Sequence, residues 1–144
     1  MPFALTLHAD HRCALAERLA KPPPSLVVAL CAAWCDACRA FRSTFERLAG
    51  SRPDSLFVWL DVEDDSAVVG DIEIEGFPSL AVFHSGLPVF FGVTRPQEGI
   101  LLRLLAALVE TEPRPVAVSD AVAVLPLALV RAAAPMLRGS RRPL

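Results

Sequence analysis

Continuous apolar runs, rather than alternating ones, predict most of the strands in this chain. Ser25–Cys31 and Leu56–Val62 are nearly unbroken runs of apolar residues, which is typical of strands covered on both faces. Leu80–Phe83 is a third such run, and Pro88–Val93 follows it after the turn-forming pair Ser85-Gly86. A short turn of this composition between two apolar runs predicts a β-hairpin.

Between these strands, the apolar residues recur at helical spacing. Phe41, Phe45 and Leu48 are separated by four and three residues, as in the buried stripe of an amphipathic helix. Asp10 is predicted to cap the first helix, and Gly50 is predicted to end the second. The predicted helices span 11–20, 35–48, 66–71 and 96–110, and a short strand is predicted over 3–7.

The order of these elements predicts the fold class. Strand, helix, strand, helix, strand, hairpin and helix follow one another, which is typical of an α/β sandwich with helices on both faces of a central mixed sheet. The chain has 144 residues, enough for one domain with a sizeable core. We assign that domain to residues 1–112.

The remaining residues, 113–144, form a C-terminal extension of different character. Val116–Leu137 is apolar but contains two charged residues and two prolines, whereas a bilayer-spanning helix needs about 20 apolar residues without such interruptions. We therefore expect an added helix packed on the domain, or a partly disordered tail that ends in the arginine-rich segment 138–142. An interfacial role at a membrane surface is a further alternative, because arginines follow the apolar stretch.

Charge and cysteine content narrow the functional classes. The net charge is −2, which gives no reason to expect nucleic-acid binding. The four cysteines are too few and too clustered for a secreted disulfide framework. Residues 1–8 contain neither a basic segment nor an apolar stretch long enough for a signal peptide, so we expect a cytoplasmic protein.

Cys35 and Cys38 are placed where their spacing suggests redox chemistry. They lie at the seam between the strand Ser25–Cys31 and the helix that follows it. A cysteine at a helix N-terminus meets unpaired N–H groups and the positive end of the helix dipole, which favour the reactive thiolate. The second sulfur lies one turn further along, close enough to form a disulfide. The pattern predicts a dithiol/disulfide site.

Two motifs in this element order carry a family resemblance. The Trp-Cys-x-x-Cys motif at 34–38 and the Gly-Phe-Pro-Ser segment at 76–79 resemble the thioredoxin family, over residues 3–110. The resemblance implies a thioredoxin-like three-layer sandwich and leaves the C-terminal extension unexplained. It also implies that Cys35 is the attacking thiolate and Cys38 the resolving thiol.

The expected substrate-binding residues come from the same resemblance. Trp34 corresponds to the aromatic flank of the active-site surface, and Phe77 and Pro78 to the cis-proline segment that pairs with an extended substrate. Gly92 corresponds to a glycine beside that groove. The resemblance implies no metal and no organic cofactor. It implies substrate proteins with disulfides and an upstream reductase or dithiol donor as partners, and we expect a monomer.

The chain departs from the family pattern at positions that tune the chemistry. Asp36 and Ala37 stand between the cysteines where thioredoxins have Gly-Pro, and the Asp36 carboxylate opposes the helix-terminus effect on Cys35. Ala29 stands where the family has a buried aspartate that helps to deprotonate the resolving cysteine. The lysine that often accompanies this acid corresponds to Trp59. Resolution is therefore expected to be slow at neutral pH.

Two functions remain open on the sequence alone. The first is a protein-disulfide oxidoreductase acting as a reductase, and the second is a thioredoxin-fold binding or adaptor module with weak or vestigial redox activity. Cys31 is expected to be a small buried residue, with a regulatory disulfide as the alternative, and Cys13 a bystander. A zinc site is disfavoured because the other cysteines and histidines lack paired ligand spacing.

Overall fold

A five-stranded mixed sheet forms the centre of the computed structural model, which describes residues 3–134. The strands are β1 (Ala4–Leu5), β2 (Ser25–Cys31), β3 (Ser55–Asp61), β4 (Ser79–His84) and β5 (Leu87–Val93). Their order across the sheet is β1-β3-β2-β4-β5. The first three strands are parallel, β4 runs antiparallel to β2, and β5 runs antiparallel to β4.

Helices cover both faces of this sheet. They are α1 (Ala9–Ala20), α2 (Asp36–Ser51), α3 (Ser66–Val69), α4 (Glu98–Val109), α5 (Asp120–Ala123) and α6 (Leu125–Ala133). Apolar residues of α2 and α4 share one core with β2 residues such as Val27 and Ala29. Those of α1, α3, α5 and α6 share the other with Val28 and Leu30. Both faces of β2 are buried, which explains its continuous apolar run and confirms the predicted α/β sandwich.

Several predicted element ends were wrong. Helix α1 begins at Ala9 with His8 at the N-cap, so Asp10 lies inside the first turn, where its charge complements the helix dipole. Helix α2 continues through Gly50, which contacts the ring of Phe3 rather than ending the helix. Strand β1 is only two residues long because the chain turns away at Thr6, whose N–H and hydroxyl both bond to a histidine of α1.

The β4–β5 hairpin has the tight turn that its sequence predicts. Ser85 and Gly86 connect the strands with φ angles of 53° and 81°. Positive φ at both positions matches the right-handed twist of the flanking strands. A bulge between Val82 and Phe83 shifts the register of the pair.

The described part of the C-terminal extension packs on the same core. The Ser119 hydroxyl caps α5 by accepting the N–H of Val122. Pro126 lies in the first turn of α6, where a missing N–H is tolerated, so it begins a helix instead of breaking one. Helix α6 contacts α1 and α3 and buries Leu125 and Leu129 completely.

The end of the chain, 135–144, lies outside the described residues, and with it the arginine-rich segment 138–142. Within residues 3–134, none of the helices has both the length and the apolar character that crossing a bilayer requires.

Candidate active site

Cys35 lies at the N-cap position of α2, four residues after the end of β2. A tight turn precedes it, in which the Cys35 N–H donates to the C=O of Ala32 at 3.0 Å. The Asp61 carboxylate, at the end of β3, holds this turn by accepting the N–H of Ala33 at 2.9 Å. Two parallel strands thus position the helix N-terminus, and Cys35 is half-buried at its tip.

The surroundings of Cys35 favour its thiolate. Hydrogen bonding from the Cys38 backbone N–H has the largest effect in lowering the pKa of Cys35. The N–H of Ala37, the Cys38 thiol and the positive charge of Arg39 lower the pKa of Cys35 further, against an opposing desolvation effect. The helix N-terminus therefore acts on this sulfur as the sequence suggested.

Asp36 does not counteract this effect. Its carboxylate pairs with the guanidinium of Arg39, three residues further along the exposed side of α2. Its side chain is 92% exposed, and water and Arg39 together screen its charge. Arg39 also donates to the C=O of Ala33 at 2.6 Å, so one arginine links both sides of the turn. The i, i+3 spacing of the two residues is a signal in the sequence that could have predicted this pair.

Cys38 differs from Cys35 both in its burial and in the direction of its pKa shift. It lies one turn into α2 and is 1% exposed. Burial raises the pKa of the Cys38 thiol, and the nearby charge of Cys35 raises it further, while a hydrogen bond from Cys31 partly offsets both. Cys38 therefore keeps its proton under conditions in which Cys35 is a thiolate.

Of the other two cysteines, one is buried beside this pair and one is exposed on another helix. Cys31, at the end of β2, is buried in the same core as Cys38, and burial strongly raises the pKa of its thiol. Cys13 is exposed on α1.

The core beneath Cys38 holds no acid. Ala29 is fully buried and pairs with Trp59 of β3 and Leu80 of β4, so both family positions that differ here are side by side. The buried polar side chains among residues 3–134 are all serines and threonines. The guanidinium of Arg42 lies 4.6 Å from the centre of the Trp59 ring, which is a cation–π contact.

Trp34 and the segment before β4 form one surface. Trp34 is 63% exposed, and its ring meets the Phe77 ring edge-on, with centroids 5.6 Å apart. The Phe77–Pro78 peptide bond is cis. The C=O of Pro78 accepts the N–H of Thr94 at 3.0 Å, whereas in the described part of the chain neither the N–H nor the C=O of Phe77 has a hydrogen-bond partner. We call this the Trp34–Phe77 surface.

The close backbone approach near this surface occurs at Gly76 rather than Gly92. A Cβ on Gly76 would lie 3.2 Å from a methyl group of Val93 in β5. Gly92 pairs with Leu80, and a Cβ there would meet only the Phe90 ring at 3.9 Å. The structure gives a steric reason for a glycine at position 76 and none at position 92.

Comparison with known proteins then identifies the family. The family model described as thioredoxin matches residues 8–101, which is more than half of the chain. The chain belongs to the thioredoxin family. Membership supports a thiol–disulfide oxidoreductase in general terms.

Curated relatives of the thioredoxin family match part of the chain. A protein disulfide-isomerase of Triticum aestivum is 34% identical over 88 residues, which cover 57% of this chain and 16% of the wheat protein. A thioredoxin of Mycoplasma genitalium is 27% identical over 71 residues, covering 49% of this chain and 70% of that protein. The chain therefore spans only a small part of the wheat relative.

Solved thioredoxins have a similar fold. A mutant thioredoxin from Halobacterium salinarum NRC-1 superimposes with a TM-score of 0.60 at 23% identity, covering 78% of this chain and 96% of the thioredoxin. A poplar thioredoxin h gives a TM-score of 0.61 at 16% identity, covering 75% of this chain and 97% of the thioredoxin. At these identities the likeness concerns the fold alone.

The lowered pKa of Cys35 predicts a distinctive pH dependence for this thioredoxin-family protein. Iodoacetamide reacts with the thiolate, which forms once the pH exceeds the pKa of Cys35 in the folded protein. As the pH is lowered, the alkylation rate of Cys35 should therefore fall at a lower pH than that of a free cysteine, whose pKa is about 8.5. Mass spectrometry of the peptide containing Cys35 measures this rate. Arg39→Gln should move the midpoint upward, and Arg47→Gln, elsewhere on α2, should not. A wild-type midpoint at or above that of free cysteine contradicts the prediction.

Proposed function

We propose that this protein is a protein-disulfide oxidoreductase that reduces disulfides of substrate proteins through Cys35 and Cys38. The observation that carries the proposal is the opposite shift of the two pKa values, lowered at Cys35 and raised at Cys38, in sulfurs one helical turn apart. Disulfide exchange needs one thiolate to attack and one thiol held back for the second step.

The reaction has two exchange steps. The Cys35 thiolate attacks one sulfur of the substrate disulfide, forms a mixed disulfide and expels the other substrate sulfur as a thiolate. Cys38 then loses its proton to water and attacks the Cys35 sulfur, which forms the Cys35–Cys38 disulfide and releases the second substrate thiolate. The chain needs no metal or organic cofactor for either step. An upstream reductase or a dithiol returns the pair to the reduced state.

The Trp34–Phe77 surface is the proposed place for the substrate chain. Its exposed tryptophan offers apolar contact, and the unpaired backbone groups of Phe77 can hydrogen-bond to an extended main chain. Pro78 directly follows Phe77, and Gly92 of β5 pairs with Leu80, the second residue of β4. Main-chain pairing accepts many side chains, so we propose a range of protein substrates rather than one sequence.

The second step is proposed to limit the rate at neutral pH. The family's buried acid is missing beneath Cys38, because Ala29 occupies its position. Asp36 and Ala37, between the two cysteines, are the proposed determinants of redox potential. Asp36 pairs with Arg39, whose positive charge lowers the pKa of Cys35, and the N–H of Ala37 lowers that pKa by hydrogen bonding.

The Cys38→Ser variant tests the proposal directly. Without the resolving thiol, the mixed disulfide at Cys35 cannot be released within the protein, so substrate proteins should accumulate as adducts. Non-reducing electrophoresis of purified variant mixed with a disulfide-containing protein measures these adducts, which should disappear on adding reductant. The double variant Cys35→Ser/Cys38→Ser is the matched control and should give none. Adducts of equal amount in both variants would contradict attack by Cys35.

A second candidate is a thioredoxin-fold binding module with vestigial redox activity. The observation that favours it is the apolar pair of Ala29 and Trp59, which leaves the resolving thiol without the buried acid that the family has at Ala29. The two candidates differ in the same experiment. A binding module retains partners on Cys38→Ser through contacts that survive reductant, whereas the oxidoreductase retains them through a disulfide.

A further inference from the structure

Helix α6 is apolar on two opposite sides. On one side, Leu125 and Leu129 are buried completely in the core. On the other side, the N-cap residue Val124, Leu127 and Val130 recur at a spacing of three residues and are 50%, 49% and 42% exposed. We call these three residues the α6 face. A helix that is apolar all round is typically buried, so this face is a candidate docking surface.

The apolar surface continues beyond α6 on both sides. Leu127 lines two cavities, of which one, about 430 Å³, lies between α6 and Val68 of α3. The other, about 370 Å³, lies between α6 and the three prolines at 22–24 that precede β2. The chain contains 16 aspartates and glutamates, yet none of those in the described part of the chain lines either cavity. The surface around the α6 face is therefore apolar and free of negative charge.

The charged side chains nearest to this surface are basic. Arg131 is exposed on α6, lines the cavity beside α3 and forms no ion pair within residues 3–134. Lys21 is exposed directly before the three prolines. Beyond α6, the sequence of residues 134–142 contains three arginines and no acid: Arg138, Arg141 and Arg142. A stretch of this length spans at most about 30 Å, so these arginines can reach a surface that the α6 face contacts.

We propose that the α6 face docks on a lipid bilayer that contains anionic phospholipids, with its three apolar side chains inserted between the lipids and the arginines bound to the headgroup phosphates. Apolar insertion and attraction to anionic lipids together give an attachment that either one alone leaves weak. The apolar side by itself would also fit a second copy of the chain. The acid-free, arginine-rich surroundings favour the anionic bilayer. This inference goes beyond the proposed function and does not depend on it.

Docking by this face leaves the redox site in water. Helix α6 packs on the sheet face opposite α2, whose N-terminus carries Cys35. Neither Cys35 nor Trp34 nor Phe77 lines the cavities beside the α6 face. The docked protein would therefore present the Trp34–Phe77 surface to the aqueous phase next to the bilayer.

Vesicle binding of the full-length protein tests the inference. The measured quantity is the partition coefficient of the protein on sedimented vesicles, either of phosphatidylcholine alone or of equal amounts of phosphatidylcholine and phosphatidylserine. We expect binding to the mixed vesicles, little binding to phosphatidylcholine alone, and weaker binding as the salt concentration rises. Equal binding to the two compositions, or binding to neither, overturns the inference.

A substitution on the α6 face tests the apolar contribution. Leu127→Asp should lower the partition coefficient on mixed vesicles at least about tenfold, because an inserted leucine is lost and a negative charge is added. Ile100→Asp is the matched control, since Ile100 is 38% exposed on α4 at the other sheet face, and it should bind as the wild type does. Circular dichroism checks the fold, and Leu127→Gln replaces Leu127→Asp if that variant unfolds. Wild-type binding by the folded variant contradicts docking through α6.

A pair of charge variants tests the basic contribution. Arg141→Gln/Arg142→Gln should weaken binding to mixed vesicles about 30-fold. Arg47→Gln/Arg103→Gln, on α2 and α4, changes the net charge equally and should weaken it no more than about twofold. Equal losses in the two variants would mean that net charge alone drives binding, and would overturn the inference. A wild-type dimer that Leu127→Asp dissociates, without vesicle binding, would assign the α6 face to a second copy instead.

Discussion

The Cys35→Ser variant is expected to lose catalysis of protein-disulfide reduction, by a factor on the order of 100 or more relative to the wild type. Cys35 is the half-buried thiol at the α2 N-terminus whose pKa is lowered, and a serine hydroxyl in the same place cannot act as the attacking thiolate. The measurement is the rate at which a model protein disulfide is reduced with dithiothreitol as the electron source, after subtracting the uncatalysed rate.

Cys13→Ser is the matched control for this prediction. Cys13 is an exposed cysteine on α1, away from the turn that precedes α2, so its removal should leave the rate unchanged. If Cys35→Ser and the wild type give equally slow rates, the protein is no disulfide reductase, and the binding-module interpretation takes its place.

The second large effect concerns stability. Leu129→Ala in α6 is expected to lower the free energy of unfolding by about 2–5 kcal/mol, because Leu129 is fully buried and its removal leaves a cavity between α6 and the sheet. Urea denaturation followed by circular dichroism measures the change. The result would show that the C-terminal extension stabilises the domain as a part of its core.

Leu127→Ala provides the comparison on the same helix. Leu127 is 49% exposed, and its truncation should change the free energy of unfolding by no more than about 0.5 kcal/mol. A similar small change for both leucines would mean that α6 is not held on the domain in solution.

The contribution of α6 also bears on how the active site is supported. Helices α1, α3, α5 and α6 cover the sheet face opposite α2, and together they bury the Val28 and Leu30 side of β2. The other side of β2 meets α2 through Ala29 and Cys31. Because β2 ends directly before the turn to Cys35, the packing on both faces determines where the helix N-terminus lies.

The strands were predictable because their signal is local and strong. The runs that became β2 and β3 are nearly continuous in apolar residues, which is typical of strands buried on two faces. Helix ends were less predictable, as Asp10 and Gly50 show. Each has the residue type of a cap, yet α1 begins one residue before Asp10, and Gly50 lies against Phe3, which is distant in sequence. Pro126 likewise begins α6 where the sequence suggested an interruption.

The candidate site, too, was predictable only in part. The motif alone indicated which sulfurs can exchange, and the strand-to-helix seam indicated that Cys35 lies at a helix N-terminus. The sequence analysis left open whether Asp36 or the helix terminus dominates, because it did not pair Asp36 with Arg39, three residues away.

By itself, then, the sequence determined the order of the elements, the two-faced burial of the central strands and which two cysteines lie at the start of a helix one turn apart. These follow from local apolar patterns and from side-chain chemistry. Only the tertiary structure decided the burial of Cys38, which raises its pKa, and the contact of Phe3 with Gly50. Burial and such contacts depend on distances between groups far apart along the chain, and only folding brings those groups together.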